Sequence, residues 1–415
     1  MTDINRNDLK KINRLLSIFP AVLILGVRQC GKTTLAKQAR YQWKYFDLET
    51  VSDFEFITHD LDFFFQEYST DIIIDEAQEY PQIFKQLRGI IDSNRSLKNR
   101  FILTGSSSPE LIKHASDSLA GRLGIIELGT LKRNELKNQQ LPDFYQLLNE
   151  DASCDALEFL KQLKISKKDQ NQTVINDCLI GGYPEPVLNN DSSFFQQWMN
   201  NYFQLYINRD IRKLFPKLDS IRYRRFVMTL SELSGTIINK AQLGRSIDIN
   251  EVTIRDYLDI ADKTFVWRMI PSYEKAITKS LVKMPKGILR DSGLMHFLSN
   301  ITTREKLIRS PNVGQNFESY IIEELIKGMN SSSAVHCAYY YYRTKHGAEI
   351  DLILEGSFGT IPIEIKFGVS TKVKQLTSLI KFIKDYELPF GIVINNSNEV
   401  RLLSHKVIQI PAVLI

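Results

Sequence analysis

An eight-residue stretch near the start of the chain has the spacing of a phosphate-binding loop. Residues 26–33 read GVRQCGKT and match the pattern G-x-x-x-x-G-K-[ST]. Glycines let backbone N–H groups wrap phosphate oxygens, and the helix that follows adds its positive end. Lys32 would reach the β- and γ-phosphates of ATP, and the Thr33 hydroxyl would bind Mg²⁺. The residues expected to contact the nucleotide are Gly26, Val27, Arg28, Gln29, Cys30, Gly31, Lys32, Thr33 and Thr34.

Two neighbouring acids, Asp75 and Glu76, come at the end of a short predicted strand, Asp71 to Ile74, which contains three isoleucines. In a parallel sheet, an acid at the carboxyl end of a strand faces the phosphate loop. Asp75 would hold magnesium through water, and Glu76 would polarise the attacking water. The alternative is that the two acids only cap a helix. Together with the phosphate loop, they predict ATP hydrolysis.

Two later features would complete such a site. The apolar run FILTGS brings Thr104 or Ser106 to a position from which a hydroxyl could sense the γ-phosphate, although a helix N-cap accounts for the serine equally well. Arg122 stands between a glycine and another apolar run. It could act as an arginine finger on a neighbouring subunit, where it would stabilise transition-state charge, or it could be a surface arginine.

A second group of chemically competent residues lies near the other end of the chain. The run GTIPIEIKFG places Glu364 and Lys366 on one face of a predicted strand, because strand side chains alternate. Asp351 falls on the strand before it, and Glu318 falls on an amphipathic helix upstream. Asp351 and Glu364, with the Ile365 carbonyl, offer hard oxygen ligands to Mg²⁺ or Mn²⁺. Lys366 could position or deprotonate water, and Glu318 could complete the metal site.

Opposite charges two residues apart on an exposed strand also form ordinary surface pairs, so the E-x-K spacing alone decides nothing. All four positions in this order favour a nuclease-like domain, which would either cut DNA or only grip it. Gln375, on the next predicted helix, is a further candidate.

The elements that position these groups alternate between strands and helices, which predicts an α/β fold. The middle of the chain reads differently. Residues 235–273 show a helix, the turn DIN, a second helix and an aromatic strand, which is the winged-helix pattern. Its second helix could enter a DNA groove or pack against a partner. The predicted division is 1–135 (ATPase), 136–232 (helical linker or lid), 233–300 (winged helix) and 301–415 (nuclease-like).

Composition limits the class of protein further. The 415 residues are 43% hydrophobic and 24% charged, as in globular proteins, and no apolar run approaches the length of a membrane span. The polar N-terminus lacks a signal-peptide pattern, so we expect a cytoplasmic protein. Four widely spaced cysteines argue against disulfides and a zinc site. The basic stretches 208–226 and 275–290 suit a phosphate-backbone footprint or a solvated helix face.

The phosphate loop, the acids at 75–76 and the ILTGS run resemble AAA-type ATPases of bacteria and archaea. The position of Arg122 after that run is similar to the finger of Holliday-junction branch-migration motors. This resemblance implies a homo-oligomer, such as a hexameric ring, in which one subunit completes the site of another.

The runs GGYPEP, NRDI and LRDSGLMHFL resemble a widespread prokaryotic family that joins an AAA ATPase to a C-terminal region of unknown function. The C-terminal acids and lysine resemble the PD-(D/E)XK nucleases. These likenesses imply an ATPase that binds DNA and cleaves it with a metal ion. The alternatives are a motor that moves branched DNA without cutting it and a nucleotide-controlled switch that acts on a protein partner.

Overall fold

The computed structural model describes residues 4–106, 109–149, 156–166, 174–189, 191–274, 284–344 and 347–415. The chain forms two compact units, the first made of residues 1–131 with 263–265 and the second of 132–262 with 266–415. The finer boundaries at 135, 232 and 300 remain predictions.

The first unit is built on a parallel five-stranded sheet. Its strands are β1 (Ala21–Gly26), β2 (Lys44–Asp47), β3 (Ile72–Asp75), β4 (Phe101–Ser106) and β5 (Leu123–Leu128). Their spatial order is β2-β3-β4-β1-β5, so β4 lies between the strand before the phosphate loop and the strand that ends in the acid. Every residue of β1 is buried, which is why its sequence AVLILG does not alternate. The predicted α/β class is confirmed.

Helices cover this sheet and enclose its core. They are α1 (Asp8–Ile18), α2 (Lys32–Ala39), α3 (Val51–His59), α4 (Leu61–Glu67), α5 (Ile83–Ser93) and α6 (Pro109–Leu119). Aliphatic residues of the strands and a cluster of phenylalanines from α3 to α5 form the core. Because β1 ends at the start of the loop and α2 begins at Lys32, the sheet and helix fix both ends of the phosphate loop.

The second unit contains helices along most of its length. They are α7 (Arg133–Leu136), α8 (Ala156–Gln162), α9 (Ile175–Ile180), α10 (Pro184–Asn189), α11 (Ser192–Leu205), α12 (Arg212–Leu214), α13 (Ser220–Glu232), α14 (Lys240–Ser246), α15 (Glu251–Lys263), α16 (Ser292–Leu298), α17 (Arg304–Arg309), α18 (Val313–Ser331) and α19 (Thr377–Asp385). A π-helical segment, Tyr206–Ile211, joins α11 to α12.

A small antiparallel sheet accompanies α14 and α15. Its strands are β6 (Thr236–Ile237), β7 (Trp267–Ile270) and β8 (Lys286–Leu289), in the order β6-β8-β7. Asn250, the last residue of the DIN turn, accepts a hydrogen bond from the Thr253 amide and so starts α15. The predicted helix, turn, helix and strand are confirmed as elements. Their assignment as a winged helix remains a prediction.

The last third of the chain forms a six-stranded mixed sheet. Its strands are β9 (Ala338–Arg343), β10 (Glu349–Gly356), β11 (Gly359–Lys366), β12 (Gly391–Asn395), β13 (Arg401–Ser404) and β14 (Val407–Pro411). The order is β13-β14-β12-β11-β10-β9, with β11, β12 and β14 parallel to one another. The predicted helix and three strands of this region are confirmed. No helix in the described part of the chain has the length and apolarity to cross a membrane.

The motifs GGYPEP and LRDSGL meet at a single side chain, Asp291. Its carboxylate accepts hydrogen bonds from the Gly182 amide and from the Leu294 amide at the start of α16. Gly181 has a φ of +67°, and a Cβ atom there would collide with Asp291 and the Gly293 amide. These two motifs therefore have a structural role, because they join the helical region to the strand that precedes α16.

We predict that Asp291→Ala destabilises the protein by about 2 to 4 kcal/mol, because it removes a helix cap and leaves a buried amide without its acceptor. Asp191→Ala is the matched control, since Asp191 caps α11 on the exposed surface. That control should cost only about 1 kcal/mol. Chemical denaturation of both variants measures the difference, and equal losses would contradict the joining role of Asp291.

Candidate functional site

The carboxylate of Asp75, at the end of β3, is the centre of the predicted ATP site. It is 3% exposed and is held by three hydroxyl groups. The Thr33 and Tyr45 hydroxyls donate to Oδ2 over 2.6 and 2.7 Å, and the Thr104 hydroxyl donates to Oδ1. Sequence reasoning missed Tyr45. The signal for it was weak, since a single tyrosine in a short strand gives no indication of which carboxylate it will meet.

Strand order accounts for these contacts. Because β4 lies between β1 and β3, Thr104 lies beside Ile24 of one strand and bonds the acid at the end of the other. The Thr104 oxygen also accepts a hydrogen bond from the Glu76 amide. Thr104 thus orients the acids, whereas Ser106 is the hydroxyl nearer to the phosphate loop. The sensing role predicted for Thr104 or Ser106 is better matched by the position of Ser106.

The phosphate loop has the backbone geometry that its glycines predict. Gly31 has a φ of +96°, and Gln29 also lies at positive φ, +62°. A Cβ atom on Gly26 would collide with the Leu128 carbonyl of the adjacent strand. The Lys32 ammonium lies inside the loop, 3.2 Å from the Val27 carbonyl oxygen. Its contact with the phosphates remains a prediction.

The remaining loop residues divide into exposed and buried positions. Arg28 pairs with Glu49 at 3.0 Å on the partly exposed side, and Thr34 is exposed on α2. Cys30 is buried and packs against the end of β5, so it serves packing rather than chemistry. Arg6 donates to the Cys30 and Gly129 carbonyls, at 2.8 Å each, and ties the loop to the sheet. Sequence reasoning missed Arg6 because it lies outside the motif.

Glu76 is the acid predicted to polarise the attacking water, and that role remains a prediction. It adopts a left-handed backbone conformation, with φ +53°, and its carboxylate accepts hydrogen bonds from Gln78, at 2.6 Å, and from the Ser106 hydroxyl, at 3.1 Å. Burial works to raise its pKa, but the nearby Lys32 ammonium and hydrogen bonds from the Gln78 side chain and the Ser106 backbone amide hold the pKa below its usual range. Glu76 is therefore ionised at neutral pH, as a general base must be.

Arg122 lies at the amino end of β5, the opposite edge of the parallel sheet from the phosphate loop of the same chain. Its guanidinium makes a bidentate pair with Asp92, at 2.7 and 2.9 Å. It cannot reach its own nucleotide site. A finger role on a second subunit remains a prediction, and it would require this ion pair to open.

The residues at this site fit ATP and Mg²⁺. The Thr33 hydroxyl and the Asp75 carboxylate share one hydrogen bond and supply the hard oxygen ligands that Mg²⁺ prefers. A bound Mg²⁺ would neutralise charge on the β- and γ-phosphates. In the predicted roles, Lys32 would hold the phosphates and Glu76 would orient water. Such an arrangement can hydrolyse the terminal phosphoanhydride.

The second predicted site also comes together, in the mixed sheet. Asp351 of β10 and Glu364 of β11 are both buried, and the Lys366 ammonium lies 2.5 Å from Glu364 Oε1 and 4.0 Å from Asp351 Oδ2. Asp351 Oδ2 accepts a hydrogen bond from the Ile365 amide at 2.7 Å. Glu318 of α18 lies close enough to Asp351 for the two carboxylates to interact electrostatically. All four predicted residues therefore share one region.

The arrangement does not fit a metal ion as it stands. In the described residues, no group of three or more acidic, histidine or cysteine side chains is arranged to hold one. A lysine that the sequence reasoning did not consider for this site, Lys286, places its ammonium against Glu318. At the place where Glu318, Asp351 and Glu364 were predicted to bind a metal ion, the chain thus supplies a cation of its own, the Lys286 ammonium.

Two smaller predictions need correction. Lys286 and Arg290, in the basic stretch 275–290, are buried and paired with acids, so they do not form a DNA footprint; residues 275–283 lie outside the described part. Gln375 is exposed, and its side chain accepts a hydrogen bond from the Lys372 amide rather than facing the acidic cluster.

Three protein-family models match different parts of the chain. Residues 19–137 match the model of an AAA domain. Residues 171–305 match a domain of unknown function, DUF8612, and residues 313–413 match another, DUF4143. The AAA match and the loop geometry support an AAA-type ATPase domain in the N-terminal region. Neither of the other two matches carries an activity.

Individual similar proteins match this chain over most of its length. The uncharacterized protein Rv2008c of Mycobacterium tuberculosis is 28% identical over 409 residues, which is 98% of this chain and 83% of that protein. Among solved structures, the Walker-type ATPase PABY2304 of Pyrococcus abyssi is 14% identical, with a TM-score of 0.42. The match covers 71% of this chain and 96% of the PABY2304 chain. The RuvB Holliday junction branch migration motor of Thermotoga maritima is 19% identical, with a TM-score of 0.27, and the match covers 62% of this chain and 88% of the RuvB chain.

We predict that Glu76→Gln lowers the ATP hydrolysis rate by a factor of roughly 10² to 10⁴ and leaves ATP binding intact, because the amide keeps the size of the side chain but cannot act as a base. Glu79→Gln is the matched control three residues away and should stay near the wild-type rate. Phosphate release and binding of a fluorescent ATP analogue measure the two effects. Hydrolysis at the wild-type rate in Glu76→Gln would show that another group activates the water.

Proposed function

We propose that the protein couples ATP hydrolysis to the binding of DNA. The observation that carries the DNA part is the basic segment 208–226, which spans α12 and part of α13. It contains seven lysines and arginines against two acids. Six of the seven are exposed: Arg209, Arg212, Lys213, Lys217, Arg222 and Arg225. A concentration of exposed positive charge of this kind attracts the phosphate backbone without reading sequence.

The acids of this segment are too few to cancel its charge. Asp219 accepts hydrogen bonds from the Ile221 and Arg222 amides and caps α13, and its other oxygen lies 3.5 Å from the Arg222 guanidinium on the exposed surface. A solvated helix face is the competing interpretation of the same residues. It differs in its consequence, because a solvated face predicts no response of ATP turnover to DNA.

The exposed face of α15 offers less support. Glu251, Asp256 and Asp259 are exposed there, with Arg255 as their basic neighbour. Three acids repel a phosphate backbone, so base reading by this helix is not part of the proposal. The DNA contact we propose is non-specific and lies on α12 and α13.

Two further outcomes differ in what happens to the bound DNA. Cleavage at Asp351, Glu364 and Lys366 would require an Mg²⁺ or Mn²⁺ ion, which this cluster of described residues does not fit as it stands. The ion pairs that fill this cluster favour gripping without cleavage, as in a motor that moves branched DNA. A nucleotide-controlled switch that acts on a protein partner, and a homo-oligomer in which Arg122 reaches a neighbour, remain proposals that the same preparation can test.

We predict that duplex, single-stranded or four-way DNA stimulates ATP turnover, and that Arg212→Glu combined with Arg225→Glu abolishes the stimulation. The double variant should also reduce the slope of log Kd against log salt by roughly two, since two phosphate contacts are lost. Turnover and fluorescence anisotropy at several salt concentrations measure both effects.

Lys372→Glu combined with Lys374→Glu is the matched control, because it reverses two exposed charges elsewhere in the same unit. It should leave DNA binding and stimulation unchanged. Cleavage in the presence of Mg²⁺ or Mn²⁺ that disappears in Lys366→Ala would establish a nuclease. An ATPase that neither binds DNA nor responds to it would overturn the proposal and favour the switch.

A further inference from the structure

The side chain of Lys286 is the best-buried cation of the C-terminal acidic cluster. Lys286 lies at the start of β8, and the residue is 1% exposed. Its ammonium hydrogen-bonds Glu318 and lies 3.3 Å from Glu349 Oε1 and 3.9 Å from Asp351 Oδ1. One charged nitrogen thus meets carboxylates from a helix and from an adjacent strand.

Burying an ammonium is costly unless it is paired and hydrogen-bonded. The surrounding acids meet this condition. Three carboxylates, those of Glu318, Glu349 and Asp351, lie within 3.9 Å of the ammonium. The ammonium therefore acts as the counter-ion of the cluster.

A further carboxylate of the cluster, that of Glu364, pairs with Lys366 instead of Lys286. Glu364 Oε2 is buried and has no hydrogen-bond partner among the described residues, although its other oxygen bonds Lys366. An orphaned oxygen at a buried, acid-rich position is an opening for a further cation.

These contacts place the Lys286 nitrogen at the position where a divalent cation would have to sit to be shared by Glu318 and Asp351. We propose that Lys286 is a built-in substitute for that metal ion: it occludes a divalent-cation site, and removing its charge opens the site. In the wild-type protein the cluster then works as an ion-paired structural centre. This inference does not depend on ATP hydrolysis or on the proposed DNA contact.

The test measures Mn²⁺ binding directly, by electron paramagnetic resonance and by thermal melting with Mn²⁺ or EDTA. Asp75→Asn serves as the background in nucleotide-free protein, so that the ATP site does not contribute metal binding. We expect the background protein to bind no Mn²⁺. Adding Lys286→Met, which keeps a long apolar side chain but removes the charge, should create a site for one Mn²⁺ and a melting temperature that rises with the metal.

Lys132→Met is the matched control. Lys132 is also buried in the same unit and pairs with Glu324 at 3.5 Å, but away from the predicted metal residues. It should gain no Mn²⁺ site. Adding Asp351→Asn to Lys286→Met should remove the new site, which ties the bound metal to the cluster.

Three results would overturn the proposal. The first is Mn²⁺ binding by the background protein that Asp351→Asn removes, because the site would then be open despite Lys286. The second is a folded Lys286→Met protein that binds no Mn²⁺, because the lysine would not stand in a metal position. If Lys286→Met folds neither with nor without Mn²⁺, Lys286→Gln replaces it, and absence of binding in that variant is the third.

Discussion

The N-terminal unit depends on one buried carboxylate. Asp75 stands at the end of an apolar strand, and its two oxygens accept hydrogen bonds from hydroxyl groups on other elements. A buried carboxylate is costly unless donors of this kind compensate for the water it has lost. The hydroxyls of Thr33, Tyr45 and Thr104 therefore keep the group in its place and link the phosphate loop, β2 and β4 to the same atom pair. The geometry of ATP chemistry is thus a property of the sheet as a whole.

The second unit depends in the same way on the buried acids of one helix, α18. Glu318 meets Lys286, Glu323 meets Arg268 and Arg290, and Glu324 meets Lys132 and Lys327. Removing one partner from such a buried pair typically costs about 3 to 5 kcal/mol, because the other charge is left without compensation. Most of these cations come from segments that lie far from the helix in the chain. One helix therefore links the small sheet to the first turn of the unit.

Much of the ATP site could be predicted because its parts are local. The loop, the lysine and the hydroxyl follow one another within eight residues, and once that loop is present, an apolar run ending in two acids indicates the strand that faces it. Tyr45 and Arg6 could not be found in this way, since their partners lie 30 and 24 residues away and their own surroundings show no pattern. The C-terminal acids were placed correctly on their helix and strands, but Lys286, which pairs with Glu318, was assigned to the basic stretch 275–290.

The sequence by itself determined the elements and the order of the chemical groups. Periodicity and glycine spacing depend on near neighbours, so they predicted strands, helices, the phosphate loop and the E-x-K strand. Only the tertiary structure decided which charges pair. A lysine in a basic stretch looks solvated until the fold brings three carboxylates to it, and an arginine that could reach a neighbouring subunit is found bound to Asp92. The reason is physical: the energy of a charge depends on burial and on partners that are distant in sequence, and neither is encoded locally.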